Sequence, residues 1–371
     1  MKNKYKEIIN VKNIFDNLDD NLLNRLKCNI KMDINNEKIE NKLNGKNVLV
    51  TGGGGFIGSE LCRQLTNYNI NDIIIFDIYE NNAYMLFQEL LLKKKENNAN
   101  YNIKVIIGSV YDYKSIEYVF ENYKIDIIFH VAANKHVPLM EDSPRQAILT
   151  NCLGTKNVVE LANKYNSEDF LLVSSDKAID PISVMGASKR LAEIITLSEK
   201  ENTKTRYNVV RFGNVFNSSG SVIPIFINQI LNNSSITITD KDATRYFMNK
   251  KDAVSLMINA ITFNESNNIY MLDMKKQVNI VTVAEELINY FDLIPYKDIN
   301  IEFIGLRDSE KTKEEIIDYS KLIKTESQNI YKDNINNNIT FKEATEFVEE
   351  LLKEKNIKSK LLSFINKQKT M

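Results

Sequence analysis

The chain has 371 residues, 43% of them hydrophobic and 26% charged, which is long enough to bury a large core and ordinary enough in composition for a globular protein. A formal charge of −1 sets up no long-range field to gather nucleic acid or an anionic membrane. Three cysteines (Cys28, Cys62, Cys152) without C-x-x-C spacing, and two histidines, offer neither a disulfide framework nor a zinc site, so no metal is expected.

The start is basic, but no signal-peptide run follows it and no stretch approaches the roughly 20 apolar residues of a membrane helix, so the chain reads as cytoplasmic with no membrane partner. Residues 1–45 form a polar lead-in in which Ile14, Phe15, Leu18, Leu22 and Leu26 recur at helical spacing. From residue 46 short apolar runs alternate with helical segments. The runs are Asn47–Val50, Ile73–Phe76, Lys104–Ile107, Asp126–Val131, Phe170–Ser174 and Asn208–Phe212; helices are expected at 58–69, 80–95, 113–123, 144–165 and 186–201. That alternation predicts an α/β fold, a doubly wound parallel sheet of the Rossmann type, over 46–212. A smaller substrate-binding lobe over 213–320, threaded back onto the sheet, is expected to carry helices at 222–232, 251–263 and 282–291 and a strand at 236–239. The tail, 321–371, shows one helix, 341–355.

Between the first run and the first helix stand Gly52, Gly55 and Gly58. The first permits a tight turn, the second lets backbone approach a pyrophosphate, and the third lets helix and strand pack closely, with the phosphates on the helix amino end. Asp77 ends the second run about 20 residues further on, where a carboxylate accepts from the ribose hydroxyls and repels a 2′-phosphate, favouring NAD over NADP. The bland reading is a structural turn with Asp77 as a helix cap.

The G-x-x-G-x-x-G spacing resembles the extended short-chain dehydrogenase/reductases, with Ser109 where that family usually has an Asp. Those enzymes place Tyr-x-x-x-Lys in the segment that here reads Met185 to Lys189, so the lysine is kept and a thioether, which relays no proton, replaces the tyrosine. This swap, with Asp176-Lys177 closing the preceding strand, resembles the CapD-like nucleotide-sugar 4,6-dehydratases of polysaccharide biosynthesis. Further blocks follow in that family's order: His130 to Glu141, Asn151 to Thr155, Arg211 to Val215, Ser218 to Pro224, Thr244 to Met248, and Gly305-Leu306-Arg307. Many members carry an N-terminal membrane region, and the chain resembles the short soluble forms.

The resemblance implies oxidation at C4 of a nucleotide sugar, UDP-N-acetylglucosamine, loss of water across C5 and C6, and return of the hydride to C6. It assigns Asp176 as the acid and Lys177 as the base, a carboxyl and an amine side by side being able to tune each other; Ser175 or an ordered water is left to take the C4 hydroxyl proton, and Lys189 completes the catalytic set. Gly52, Gly55, Phe56, Ile57, Gly58, Asp77, Ala132 and Lys189 are expected at the cofactor. Lys135, Asn151, Arg211, Asn214, Arg245 and Arg307 are expected at the substrate, arginine's fork suiting phosphate oxygens. A homo-oligomer is expected. The competing readings are a nucleotide-sugar 4-epimerase, which needs the missing tyrosine, and a non-catalytic NAD-binding scaffold.

Overall fold

The computed structural model describes residues 18–28, 31–199, 203–315, 320, 322–333 and 339–369; the expected helix positions Ile14 and Phe15 lie outside them. Strands β1 (Asn47–Thr51), β2 (Asp72–Asp77), β3 (Asn102–Ile107), β4 (Ile127–His130), β5 (Asp169–Ser175) and β6 (Arg206–Phe212) fall on the six apolar runs. The chain goes on through β7 (Asn214–Val215), β8 (Ile236–Ile238) and β9 (Thr244–Met248), then β10 (Asn268–Leu272), β11 (Gln277–Asn279) and β12 (Ile301–Phe303), and closes with β13 (Ile323–Lys324) and β14 (Ile330–Asp333).

Contacts divide the chain into two compact units. The larger holds 33–212, 254–273 and 315–371 and contains a nine-stranded sheet in the order β13-β14-β10-β6-β5-β4-β1-β2-β3. From β3 to β10 all pairings are parallel, and β14 and β13 close the edge antiparallel. This is the Rossmann-type sheet: sequence order reverses between β1 and β4, which opens a crevice at the carboxyl ends of those strands. The central strands are buried along nearly their whole length because helices cover both faces, which is why they read as continuous apolar runs. One face packs Leu49, Phe76, Ile128, Phe170 and Val209 against Ile116, Val158 and Leu161.

The smaller unit holds 213–253, 274–314 and the described N-terminal residues 18–28, 31 and 32. Its core sets Leu18, Leu22 and Leu23 of the helix Leu18–Arg25 against Phe226, Ile230, Val283 and Leu287. Strands β11, β9 and β7 form one small sheet there, and β12 pairs with β8. The lead-in is therefore divided, since the helix Asn36–Leu43 belongs to the larger unit.

Two segments differ from their sequence reading. The expected helix over 144–165 is broken into Pro144–Ala147, a π-helical stretch Ile148–Leu153, and Gly154–Lys164. The basic end folds as a second tail helix, Ile357–Lys369, which packs with Phe341–Lys353 over the helix Val184–Ser198. In that covered helix every residue but Arg190 is buried. Its Glu193 has no exposed surface: it receives Arg211 of β6 at 2.7 and 2.5 Å, Ser174 of β5 at 2.6 Å and Arg190 at 2.9 Å. Arg211 reaches on to Asp333 of β14 at 3.0 Å.

Removing one partner of such a network strands a buried charge, so Arg211→Met should lower the unfolding free energy by about 3–5 kcal/mol. Urea denaturation checks this; a midpoint equal to that of the parent chain would show that the network does not hold helix and strands together.

Candidate active site

The candidate site grows from the carboxyl ends of β1, β4 and β5. Strand β1 runs into Gly52, whose φ of +68° turns the chain, and a Cβ there would lie 2.7 Å from the Ala132 backbone just beyond β4. Gly58 packs on the Gly52 carbonyl, which a Cβ would strike. The helix Phe56–Leu65 starts at Gly55, which brings no capping side chain to its positive end. Turn, missing Cβ atoms and helix pole together fit the pyrophosphate of a dinucleotide cofactor.

Asp77 props this loop. Its Oδ2 accepts the Gly54 N–H and its Oδ1 the Tyr79 N–H, each at 2.8 Å. Asp77 holds backbone after both β1 and β2, the cap of the next helix being Tyr79, and each of its oxygens keeps a lone pair that a hydroxyl donor can use.

At the end of β5, Ser175 Oγ donates to Asp176 Oδ1 at 2.8 Å and accepts the Lys177 N–H at 3.2 Å, closing the 3-10 turn Asp176–Ala178. Lys177 Nζ donates to the same Oδ1 at 3.1 Å. Asp176 is 4% exposed, and its Oδ2 has no hydrogen-bond partner. An unpaired buried carboxylate oxygen is costly, more so than the roughly 1–3 kcal/mol of a neutral group. One oxygen takes two donors and the other none, which leaves the second for a group outside the fold.

The helix Val184–Ser198 is pressed against this turn. Gly186 backs onto the Lys177 carbonyl so closely that a Cβ would collide with it. Ser183 Oγ accepts the Gly186 N–H at 3.1 Å, and Glu141 accepts the Val184 N–H at 2.8 Å while pairing with Lys358 at 2.7 Å. One turn along, Lys189 Nζ donates to the Val173 carbonyl at 2.6 Å. Burial pulls the Lys189 ammonium down to about 8, with the Glu193 charge offsetting part of that effect. Met185 is 3% exposed and packs in the cluster that includes Met140 and Cys152.

Two of the expected substrate residues are placed otherwise. Arg211, at 2% exposure, spends its fork on Glu193 and Asp333, so it is a structural cation rather than a phosphate ligand. Asn151 is buried in the π-helical stretch; its side chain accepts the Asn134 N–H at 2.8 Å and donates to the Asn134 carbonyl and to Ser188 Oγ at 3.0 and 2.9 Å. It braces the segment that carries Lys135, which is itself exposed. In the smaller unit, Asn214 donates to the Tyr246 carbonyl at 3.3 Å, Arg245 pairs with Glu310 and Glu314 at 3.4 and 3.5 Å, and Arg307 is exposed. Sequence reasoning passed over Glu193 altogether, although its place four residues after Lys189 on one helix face was a usable signal. Among the described residues no His, Cys, Asp and Glu group could hold a metal, and no helix is long and apolar enough to cross a membrane.

A family model described as polysaccharide biosynthesis protein matches residues 48–334. Capsular polysaccharide biosynthesis protein CapD of Staphylococcus aureus is 40% identical over 81% of the chain, which spans about half (52%) of CapD's length. A UDP-glucose 4-epimerase of Rickettsia bellii is 35% identical over 77% of the chain and 82% of its own. Among solved structures, Pen from Bacillus thuringiensis superposes with a TM-score of 0.70 at 30% identity, covering 84% of this chain and 99% of Pen. DesIV, a dTDP-glucose 4,6-dehydratase from Streptomyces venezuelae with NAD and TYD bound, gives 0.62 at 18% identity over 72% and 87% of the two chains, a likeness of fold.

Lys189 allows a test that separates function from stability. Its ammonium is disfavoured in the folded chain, so the penalty is full below about 8 and is relieved as pH rises from there towards the ordinary lysine value. Lys189→Met should therefore raise the stability of the cofactor-free chain at neutral pH by roughly 1–3 kcal/mol and flatten its rise at alkaline pH, while abolishing turnover. Thermal melts across pH with a parallel activity assay check both halves; a destabilised variant would make Lys189 a structural cation.

Proposed function

The chain belongs to the polysaccharide biosynthesis protein family matched over residues 48–334, and we propose that within it this chain is an NAD-dependent nucleotide-sugar 4,6-dehydratase acting on UDP-N-acetylglucosamine. The observation that carries the reading is the Asp176–Lys177 pair: a buried carboxyl with one oxygen unpartnered, and an ammonium 3.1 Å from the other.

NAD, which the glycine loop and Asp77 would hold, would supply a hydride acceptor at C4 of the sugar and the hydride donor at C6. The side chains do the rest. Ser175 lies in hydrogen-bond contact with Asp176 and is the proposed acceptor for the C4 hydroxyl proton, which Met185 has no means to take. With a ketone at C4 the adjacent C5 proton becomes acidic, and Lys177 removes it. Asp176 protonates the C6 hydroxyl, which leaves as water. Turnover starts once Lys177 has lost its proton to solvent: as Ser175 takes the C4 proton its own passes to Asp176 Oδ1, which makes the carboxylic acid, and Lys177, the free amine, later returns the C5 proton it removed. Hydride at C6 and a proton at C5 complete the 4-keto-6-deoxy product, so the sum is loss of one water with the cofactor unchanged. Lys135, Asn214, Arg245 and Arg307 are the proposed contacts to the nucleotide and its diphosphate. A 4-epimerase would have no use for an acid and a base at C5 and C6; the pair is what favours dehydration.

Substrate deuterated at C4 should give product with that deuterium at C6, and reaction in heavy water should place solvent deuterium at C5. Lys177→Met should abolish both product and C5 exchange while cofactor binding persists, and Asp176→Asn should slow water loss by about 10²–10⁴. Product that keeps its C6 hydroxyl with C4 inverted would establish the epimerase instead, and NADH accumulating mole for mole with product would make the chain a simple dehydrogenase.

Asp77→Ser should weaken NAD and narrow the margin over NADP by about 1–3 kcal/mol, read by titrating both nucleotides. A parent chain that already prefers NADP would remove Asp77 from the ribose.

A further inference from the structure

A second place in the larger unit has the makings of a ligand site. A cavity of about 680 Å³ lies among the helix Asn36–Leu43, the turn at 262–265 and strands β13 and β14. It shares no lining residue with the glycine loop or the Asp176 turn. Lys42 on its wall pairs at 2.5 Å with Asp169, the first residue of β5, whereas Asp176 follows the last, about 20 Å further at roughly 3.3 Å per residue. The cavity therefore belongs to the opposite end of the sheet.

Four lysines line it: Lys38, Lys42, Lys324 and Lys332. Three are paired, with Glu326, Asp169 and Glu265 respectively, and among the described residues Lys324 has no acidic partner. The floor includes Tyr270 of β10, packed edge-to-face on Phe263 with ring centroids 5.0 Å apart. Tyr270 is 1% exposed and its hydroxyl is buried without a hydrogen-bond partner. Asn268 stands near on the same strand, but its amide donates to Glu265 Oε2 at 3.3 Å and the Ser266 carbonyl at 3.1 Å. Burial pushes the phenol up and the neighbouring Asn268 offsets only part of that, so the hydroxyl keeps its proton and, without a hydrogen-bond partner by geometry, can donate to an acceptor.

We propose that this cavity binds an organic phosphate, its phosphoryl oxygens taken by Lys324 and the Tyr270 hydroxyl and its sugar or base lying against Phe263. The unspent groups are donors and the local charge is positive, which selects an anion. The volume falls within the roughly 300–1,000 Å³ of small-molecule pockets and far exceeds the need of an inorganic ion. Lysine is a point-charge binder of phosphate, and a hydroxyl beside it fixes direction. The site is independent of the proposed reaction.

The test is lysine acetylation of the full chain, read by mass spectrometry, with glucose 1-phosphate or uridine monophosphate at millimolar concentration and with glucose and uridine as uncharged controls. Lys324 should be protected severalfold by either phosphate and by neither control. Tyr270→Phe should melt at or above the parent temperature, because it deletes an unsatisfied buried donor, and should need about tenfold more phosphate for the same protection. Three results would each overturn the proposal: Lys324 acetylated equally with and without both phosphates, equal protection by the uncharged controls, or unchanged protection in Tyr270→Phe.

Discussion

A carboxylate with no exposed surface has to be surrounded by donors, and the candidate site is arranged around the way Glu193 meets that demand. Burial alone would raise its carboxyl; the charges and hydrogen bonds of Arg211, Arg190 and Ser174 outweigh that and hold it at about 2. Those donors come from β5, β6 and its own helix, so satisfying one side chain fixes the helix Val184–Ser198 against two strands at once. With the helix fixed, Gly186 meets the Lys177 carbonyl and Lys189 reaches Val173, and the turn bearing Asp176 has only one place to sit. Any slack in the Glu193 network would be passed directly to the Asp176–Lys177 pair.

The same region contains two features that weaken the fold. Asp176 keeps an oxygen unpaired in the interior, and Lys189 keeps a charge there that burial disfavours. Neither improves packing, and an apolar residue at either position would make a simpler core. Groups held in a high-energy state by an over-determined scaffold are what a preorganised site needs, since the stabilisation they lack becomes available to a bound partner. Met185, by contrast, is content: it fills its cluster with no polar atom to satisfy, which is why the tyrosine's place can be filled without a cavity.

How much of this could be read from the sequence depends on how local the cause was. Strands β1 to β6 lie on their apolar runs because each is buried on both faces, and the glycine loop is legible because its turn, approach and packing are decided within a few residues. Strands β13 and β14 were not, since short half-polar strands are defined by partners far along the chain, and β10, buried throughout, is only five residues long and pairs with β6 across a long insertion. The π-helical stretch at Ile148–Leu153 hid inside an even helical period; its cause is tertiary, Asn151 reaching Asn134 and Ser188. Arg211 misled for a related reason. An arginine beside Asn214 in a strand-end motif looks the same whether its fork meets phosphate or two buried carboxylates, and only the position of Glu193 and Asp333 decides.

The route of the chain also bears on how the protein comes to be folded. Strands β1 to β6 are made in succession, and each new strand has its neighbour in the sheet, or soon will, as it is synthesised. Strand β10 lies beside β6 yet is separated from it by residues 213–267, which contain β7, β8 and β9 of the other unit. Closing a loop of that length costs entropy before any pairing rewards it, though only logarithmically in length. Until β10 arrives, β6 presents a bare parallel edge, the kind of surface along which one nascent chain pairs with another. The antiparallel strand β14 then shields β10 in turn, and the two-residue β13 leaves an edge too short to template anything. Late strands thus serve as the closure of the sheet against its own copies, and the interval between β6 and β10 is the span of synthesis in which that protection is missing.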